Sequence, residues 1–246
     1  MQSQIHSQII RKEVDRREIK TDRVIRLHYI ELDEPNIDIP KGDINYLLEA
    51  LDAQWELSGL SYNFSIVPNL QKILKKGDRK VTVAVFEGNE ILSVWPGYHD
   101  SIFGVSLDIG STTVAACLSD LSSGDVIASV NTMNPQIRFG EDLMSRVSFA
   151  MMNSNGAHQM TESIRGAIND LLHELTEESN VPLTSILEIS IVANPVMHHI
   201  LLGIDPCELG GAPFSLAIDT SVSEAAVNFG LNINPGGKVY VLPCIA

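Results

Sequence analysis

The chain has 246 residues, 44% of them hydrophobic and 20% charged, a balance that describes a globular chain able to bury a sizeable core. Its formal net charge of −14 repels nucleic acid and anionic lipid, so a nucleic-acid partner is not expected. No apolar run approaches the roughly 20 residues of a membrane-spanning helix, and the opening "MQSQIHSQIIRKEVDRREIK" lacks the apolar segment of a secretory signal; no membrane association and a cytoplasmic location are the expectations.

In chain order, residues 1–20 read as a charged lead-in or linker with no apolar face. From Val24, "VIRLHYIEL" alternates as a strand does. Asp43 stands where an N-cap belongs, before the helical spacing of "INYLLEALDAQW". "NLQKILKK" after Pro68 reads as a short helix closed by Gly77, and "RKVTVAVFE" with "EILSVWP" as a hairpin around Gly88 and Asn89. Residues 21–100 are therefore a small α+β domain, with Trp55 and Trp95 expected in its packing.

A second region starts at Phe103. Three strand-like runs, "FGVSLDIG", "TTVAACLSD" and "VIASVNTMN", form an antiparallel meander. "GEDLMSRVSFAMM" follows, and then a long helix with Met160, Ile164, Ile168, Leu171, Leu172 and Leu175 on one face. "ILEISIVAN" predicts a strand and "PVMHHILLG" a short helix, with Pro195 in its first turn and Asn194 as its cap. "AAVNFGLNI" and "VYVLPCIA" predict two last strands. Residues 101–246 form this second unit, and the fold class is α/β with a mixed sheet.

The three cysteines, Cys117, Cys207 and Cys244, carry no CxxC pairing and are too few for a four-cysteine iron–sulfur site. His198 and His199 are helix neighbours pointing about 100° apart, so one ion cannot easily take both; one packed and one exposed histidine is the expectation.

The corner of the meander, "DIGSTT" (Asp108–Thr113), admits two readings. An ordinary two-residue hairpin corner explains it, since Gly-Ser turns well anywhere. It also has what a phosphate seat needs. Asp108 at a strand end can hold hydrated Mg²⁺. Gly110 allows a tight turn and close approach, and Ser111, Thr112 and Thr113 supply N–H groups and hydroxyls in a nest.

"DIGSTT" heading such a meander resembles the phosphate-1 motif of the actin, sugar-kinase and heat-shock chaperone (ASKHA) superfamily. "MNPQIRFGEDLMSRVSFA", "VANPVMHHILLGIDP" and "VLPCIA" narrow the resemblance to the reductive activators of corrinoid proteins, iron–sulfur ATPases of that superfamily; "VIRLHYIEL" and "DINYLLEAL" are similar to the middle domain of those proteins. The resemblance implies that 21–100 is the middle domain and 101–246 the first, ribonuclease H-like lobe of the ATPase domain. It implies ATP and Mg as cofactors, held at Asp108, Gly110, Ser111, Thr112 and Thr113, with Asp108 meeting Mg through water. It places Gln136 and Asp142 toward the γ-phosphate, Gln136 orienting the attacking water and both counted with Asp108 as catalytic. The implied partner is a corrinoid protein, reduced from Co(II) to Co(I) in support of a methyltransferase, with a homodimer as a further expectation. The [2Fe–2S] cluster and the facing ATPase lobe would lie outside this chain, an internal fragment inactive alone and weak in ATP binding. A small-molecule kinase of the same superfamily and a nucleotide-switched assembly module are the rival readings.

Overall fold

The computed structural model describes residues 22–38 and 40–244; the predicted lead-in falls outside them. The first unit is a four-stranded sheet in the order β1-β3-β4-β2. Strands β1 (Ile25–Glu31), β3 (Lys80–Phe86) and β4 (Glu90–Pro96) pair antiparallel, and the two-residue β2 (Ser61–Tyr62) joins β4 in parallel. Helices α1 (Asp43–Trp55) and α2 (Val67–Lys76) cover one face, Leu47, Leu51, Leu70 and Leu74 packing onto Ile30, Val81, Val83, Val85 and Ile91.

Asp43 is the first helical residue rather than the cap. Gly42 occupies the cap position with no side-chain bond, and the Asp43 carboxylate lies 3.4 Å from Arg79. An acid in the first turn still suits the helix dipole. Trp55 is about half exposed, its indole N–H donating to the Tyr29 carbonyl at 2.9 Å, while Trp95 stacks on His99.

The second unit opens with the predicted meander: β5 (Phe103–Ile109), β6 (Thr113–Asp120) and β7 (Val126–Met133). Next come α3 (Leu143–Met152), α4 (Gly156–Ser179), β8 (Ile186–Ala193), α5 (Pro195–Leu202), β9 (Val222–Ala225) and β10 (Lys238–Val241). The six strands lie in the order β7-β6-β5-β8-β10-β9. β8 is parallel to both β5 and β10, and β9 closes the edge antiparallel.

Alternation along β5 decides which face does what. Val105, Leu107 and Ile109 turn into the core with Val114, Ala116, Leu118, Ile189 and Ile191, whereas Ser106 and Asp108 point to the opposite, open face. All six apolar residues read from the periodicity of α4 are buried in that core. Beyond Ala225, the end of β9, the predicted strand over 225–233 does not form. Ala226–Phe229 is a 3-10 turn ended by Gly230 at φ 64, and Phe229, Leu231 and Ile233 are separate apolar anchors whose spacing mimics a strand's.

The two units meet across the outer face of the first sheet. Ile25, Ala84 and Leu92 pack with Ile102 and Leu187, which is why Val81–Val85 are buried on both faces. Asn234 pins the junction. Its amide donates to Ser93 Oγ at 3.0 Å and to the Thr184 carbonyl at 2.6 Å, and its oxygen accepts from Gly236 N–H. A Cβ on Gly236 would lie 1.8 Å from the Leu92 carbonyl oxygen, so glycine alone allows this approach. Lys238 bridges to Glu90 at 2.6 Å.

Beside the junction, burial raises the Glu188 carboxyl above its ordinary range, and the Glu87 carboxylate adds to it against the hydrogen bond from Ser190. A carboxyl raised by folding binds its proton more tightly in the native state. Its contribution to stability is complete below the unfolded-state pKa and is lost as pH rises through the folded one. Glu188→Gln should therefore raise Tm by a few degrees near about pH 7.5 and leave it unchanged near about pH 4. Thermal melts at the two pH values check this; an equal gain at both contradicts it.

Candidate functional site

The corner between β5 and β6 is built from beneath. Gly110 N–H donates to the Thr113 carbonyl at 2.9 Å, closing the turn. A Cβ on Gly110 would come 2.9 Å from that same oxygen, so the turn requires glycine here. The next three carbonyls are each held from behind. Asn134 Nδ2 donates to Gly110 O at 2.7 Å, Arg146 Nη2 donates to Ser111 O in a short contact, and Asn134 N–H donates to Thr112 O at 2.8 Å.

Three carbonyls drawn inward leave the turn's N–H groups on the other side. Among the described residues, the Ser111 and Thr112 N–H groups donate to no protein acceptor. Thr112 is exposed and Ser111 half-buried, so both can reach a ligand. Adjacent free N–H groups on a concave turn bind oxyanions.

Asp108 completes the open side. It is exposed, and it lies in register with Ala115 of β6 and Val192 of β8 on the face that no helix covers among the described residues. Thr113, two residues before Ala115, shares that face. The sequence-predicted set Asp108, Gly110, Ser111, Thr112 and Thr113 thus lies at one end of the β5–β6 pair, inside the sheet. An acceptor-only carboxylate beside oxyanion donors suits a hydrated divalent cation with a phosphate group.

Gln136 and Asp142 lie elsewhere. Gln136 is fully buried, its amide donating to the Met160 carbonyl at 3.0 Å and its oxygen 3.5 Å from Arg146 Nη1. In this conformation it reaches no solvent water; it stands behind the turn, its N–H bonded to the Asn134 side chain that holds Gly110. Asp142 is the N-cap of α3. Its carboxylate accepts from Ser145 N–H at 2.7 Å, and the Asp142 N–H donates to Ser145 Oγ at 3.1 Å; the Ser145 N–H first, and then the Ser145 hydroxyl beside the carboxylate, hold the carboxyl below its ordinary range.

Asn134 and Arg146 are the residues that sequence reading passed over. Asn134 has a signal of sorts, an Asn-Pro pair opening a 3-10 turn straight after β7. Arg146 has none. A basic residue four positions after Asp142 in a helix looks like half of a solvated i,i+4 pair. Instead its side chain is completely buried, and burial pulls its pKa down.

His198 and His199 are both buried, against the expectation of one exposed ring, because α5 is sandwiched between α4, β8 and the 214–218 segment. His199 Nε2 accepts from Ala217 N–H and Nδ1 faces the Pro195 carbonyl, each at 2.9 Å, which fixes the Nδ1–H tautomer and leaves no lone pair for a metal. Cys244 lies against the pair, so three potential ligands converge but only two are available. Asn194 caps α5 as predicted, its side chain accepting from Met197 N–H at 3.1 Å.

A meander with a glycine corner and an exposed carboxylate, backed by helices on one face and continued by a strand parallel to its first, is the architecture of the actin-like ATPase-type fold. More narrowly, residues 103–246 match the family described as the RACo middle region, and residues 14–101 match the RACo linker region; the chain belongs to this family. The matched boundary falls between 101 and 103. The name "middle region" goes to the second unit, where sequence reading gave it to the first. The chain is 27% identical over 186 residues to the corrinoid activation enzyme RamQ of Eubacterium limosum, covering 74% of this chain and 31% of that protein. It superposes on a solved reductive activator for corrinoid, iron–sulfur protein with a TM-score of 0.78 and 29% identity, over 93% of this chain and 37% of the other. The chain thus spans about a third of the length of each.

If Gln136 is a buried brace, Gln136→Ala should lower the unfolding free energy by about 1–3 kcal/mol, because it leaves the Met160 carbonyl unpaired. Urea denaturation checks this; an unchanged midpoint contradicts it.

Proposed function

We propose that this chain is the nucleotide-phosphate lobe of an ATP-dependent activator that returns a corrinoid protein from Co(II) to Co(I). The observation that carries the reading is the superposition along 93% of the chain on a reductive activator for corrinoid, iron–sulfur protein, with Asp108 and the Ser111–Thr112 N–H pair at one end of the β5–β6 pair.

The residues fit the phosphates of ATP. Ser111 and Thr112 N–H would hold phosphate oxygens, Thr113 would add a hydroxyl, and Asp108 would hold Mg²⁺ through its water shell. They do not fit an iron–sulfur cluster, since three scattered cysteines with free thiols cannot ligate one. In this reading the electron would come from a donor held outside these residues. The redox step moves one electron from that donor, which is oxidised, to Co(II), which becomes Co(I).

The work of ATP in such a system is a coupling free energy. Nucleotide must bind one conformation better than another, and the corrinoid protein must distinguish the same two. Each tenfold difference between them shifts a one-electron couple by about 59 mV. A methyltransferase served by the reactivated corrinoid completes the proposed setting.

The test uses the complete gene product with a cobalamin-loaded corrinoid protein and a low-potential reductant. Absorbance should show Co(I) forming only with Mg-ATP, and Asp108→Ala should slow that formation by at least about tenfold. Equal Co(I) yield with and without ATP contradicts the proposal.

A further inference from the structure

Arg146 is the least explained residue of the chain. It is the largest fully buried side chain among the described residues, and a buried guanidinium normally meets a carboxylate. Among the described residues no carboxylate oxygen lies within 4.0 Å of it. Asp142, the acid that acts on it through space, is exposed at the surface and committed to capping α3.

Its donors go to neutral acceptors instead. Nε donates to the Gly140 carbonyl at 3.0 Å, Nη1 to Met197 Sδ at 3.0 Å and toward Gln136 Oε1 at 3.5 Å, and Nη2 to the Ser111 carbonyl. Gly140, whose carbonyl accepts from Nε, packs closely on the start of α3: a Cβ on it would lie 2.7 Å from the Arg146 backbone nitrogen and 2.5 Å from Ser145 Oγ. A protein that only needed to fill this volume would use an apolar side chain, which costs less than an uncompensated buried cation.

The geometry points to Arg146 as the positioning residue of the phosphate seat: it draws the Ser111 carbonyl inward, so that the Ser111–Thr112 N–H pair faces out, and places a positive charge that no described carboxylate bridges directly behind the turn. The anion that completes the charge balance is the phosphate chain of the nucleotide on the far side. This rests on the phosphate-seat reading above. The fork matters as well as the charge. A lysine ammonium is a single point donor and cannot reach Gly140, Met197 and Ser111 together.

Two variants of the complete gene product, Arg146→Met and Arg146→Lys, test it, with Mg-ATP and adenosine as calorimetric probes. Arg146→Met should weaken Mg-ATP by about tenfold or more while adenosine stays within about twofold, and Arg146→Lys should recover part of the loss. A merely structural role lowers both affinities together, and that outcome overturns the inference, as does an unchanged ratio of the two. Should Arg146→Met fail to fold, Arg146→Lys decides alone: a lowered ATP-to-adenosine preference supports the inference and an unchanged one overturns it. Failure of the underlying reading looks different, because the wild-type protein itself would then bind Mg-ATP no more tightly than adenosine.

Discussion

The bond from the Arg146 guanidinium to the Ser111 carbonyl is the interaction on which the rest of the site depends. A tight turn between two strands can present either its carbonyls or its N–H groups to solvent, and hairpin chemistry alone does not choose. Here the choice is made from below, by Arg146 on one carbonyl and by Asn134 on the two that flank it. Both residues need fixed platforms of their own. Asn134 opens the 3-10 turn that ends β7, and Arg146 sits four residues inside a helix whose start is set by the Asp142–Ser145 capping box. Met197 of α5 touches both of them, so the corner is tied to the β8–α5 crossover as well as to the meander.

The architecture spreads from that corner along single strands. β8 carries Leu187 and Glu188 at the junction with the first unit and, eight residues long, runs up to Val192 beside Asp108. The junction itself is specific rather than greasy alone: Asn234 uses its side chain on three partners, and Gly236 rides against the Leu92 carbonyl. The first unit is therefore fastened to the strands that frame the site.

Much of this was legible in the sequence, for physical reasons that can be stated residue by residue. Strict periodicity gave the core face of α4, the meander and the hairpin of the first unit, because burial on one face imposes a repeat. "DIGSTT" announced a corner that could seat phosphate, since Gly110 and the hydroxyl residues are local chemistry. What the sequence hid is whatever depends on contacts between distant segments. The partner of Arg146 lies 35 residues away at Ser111, and that of His199 lies 18 away at Ala217; both positions look like solvated surface on their own helices. The resemblance alone places Gln136 toward the γ-phosphate, whereas its amide donates to the Met160 carbonyl 24 residues on, inside the core. The apolar alternation of Phe229, Leu231 and Ile233 misled for the converse reason: three anchors in a looped segment can copy a strand's spacing without its backbone pairing.

The central claim is that the Ser111–Thr112 N–H pair is a phosphate seat. Amide-resolved NMR of the chain titrated with Mg-ATP tests it most directly, because it reads even weak binding one N–H at a time. The Ser111 and Thr112 amide signals should shift most, and the Gly110 signal, already bonded to the Thr113 carbonyl, should move less. Saturable shifts centred elsewhere, with Ser111 and Thr112 unmoved, would contradict the account.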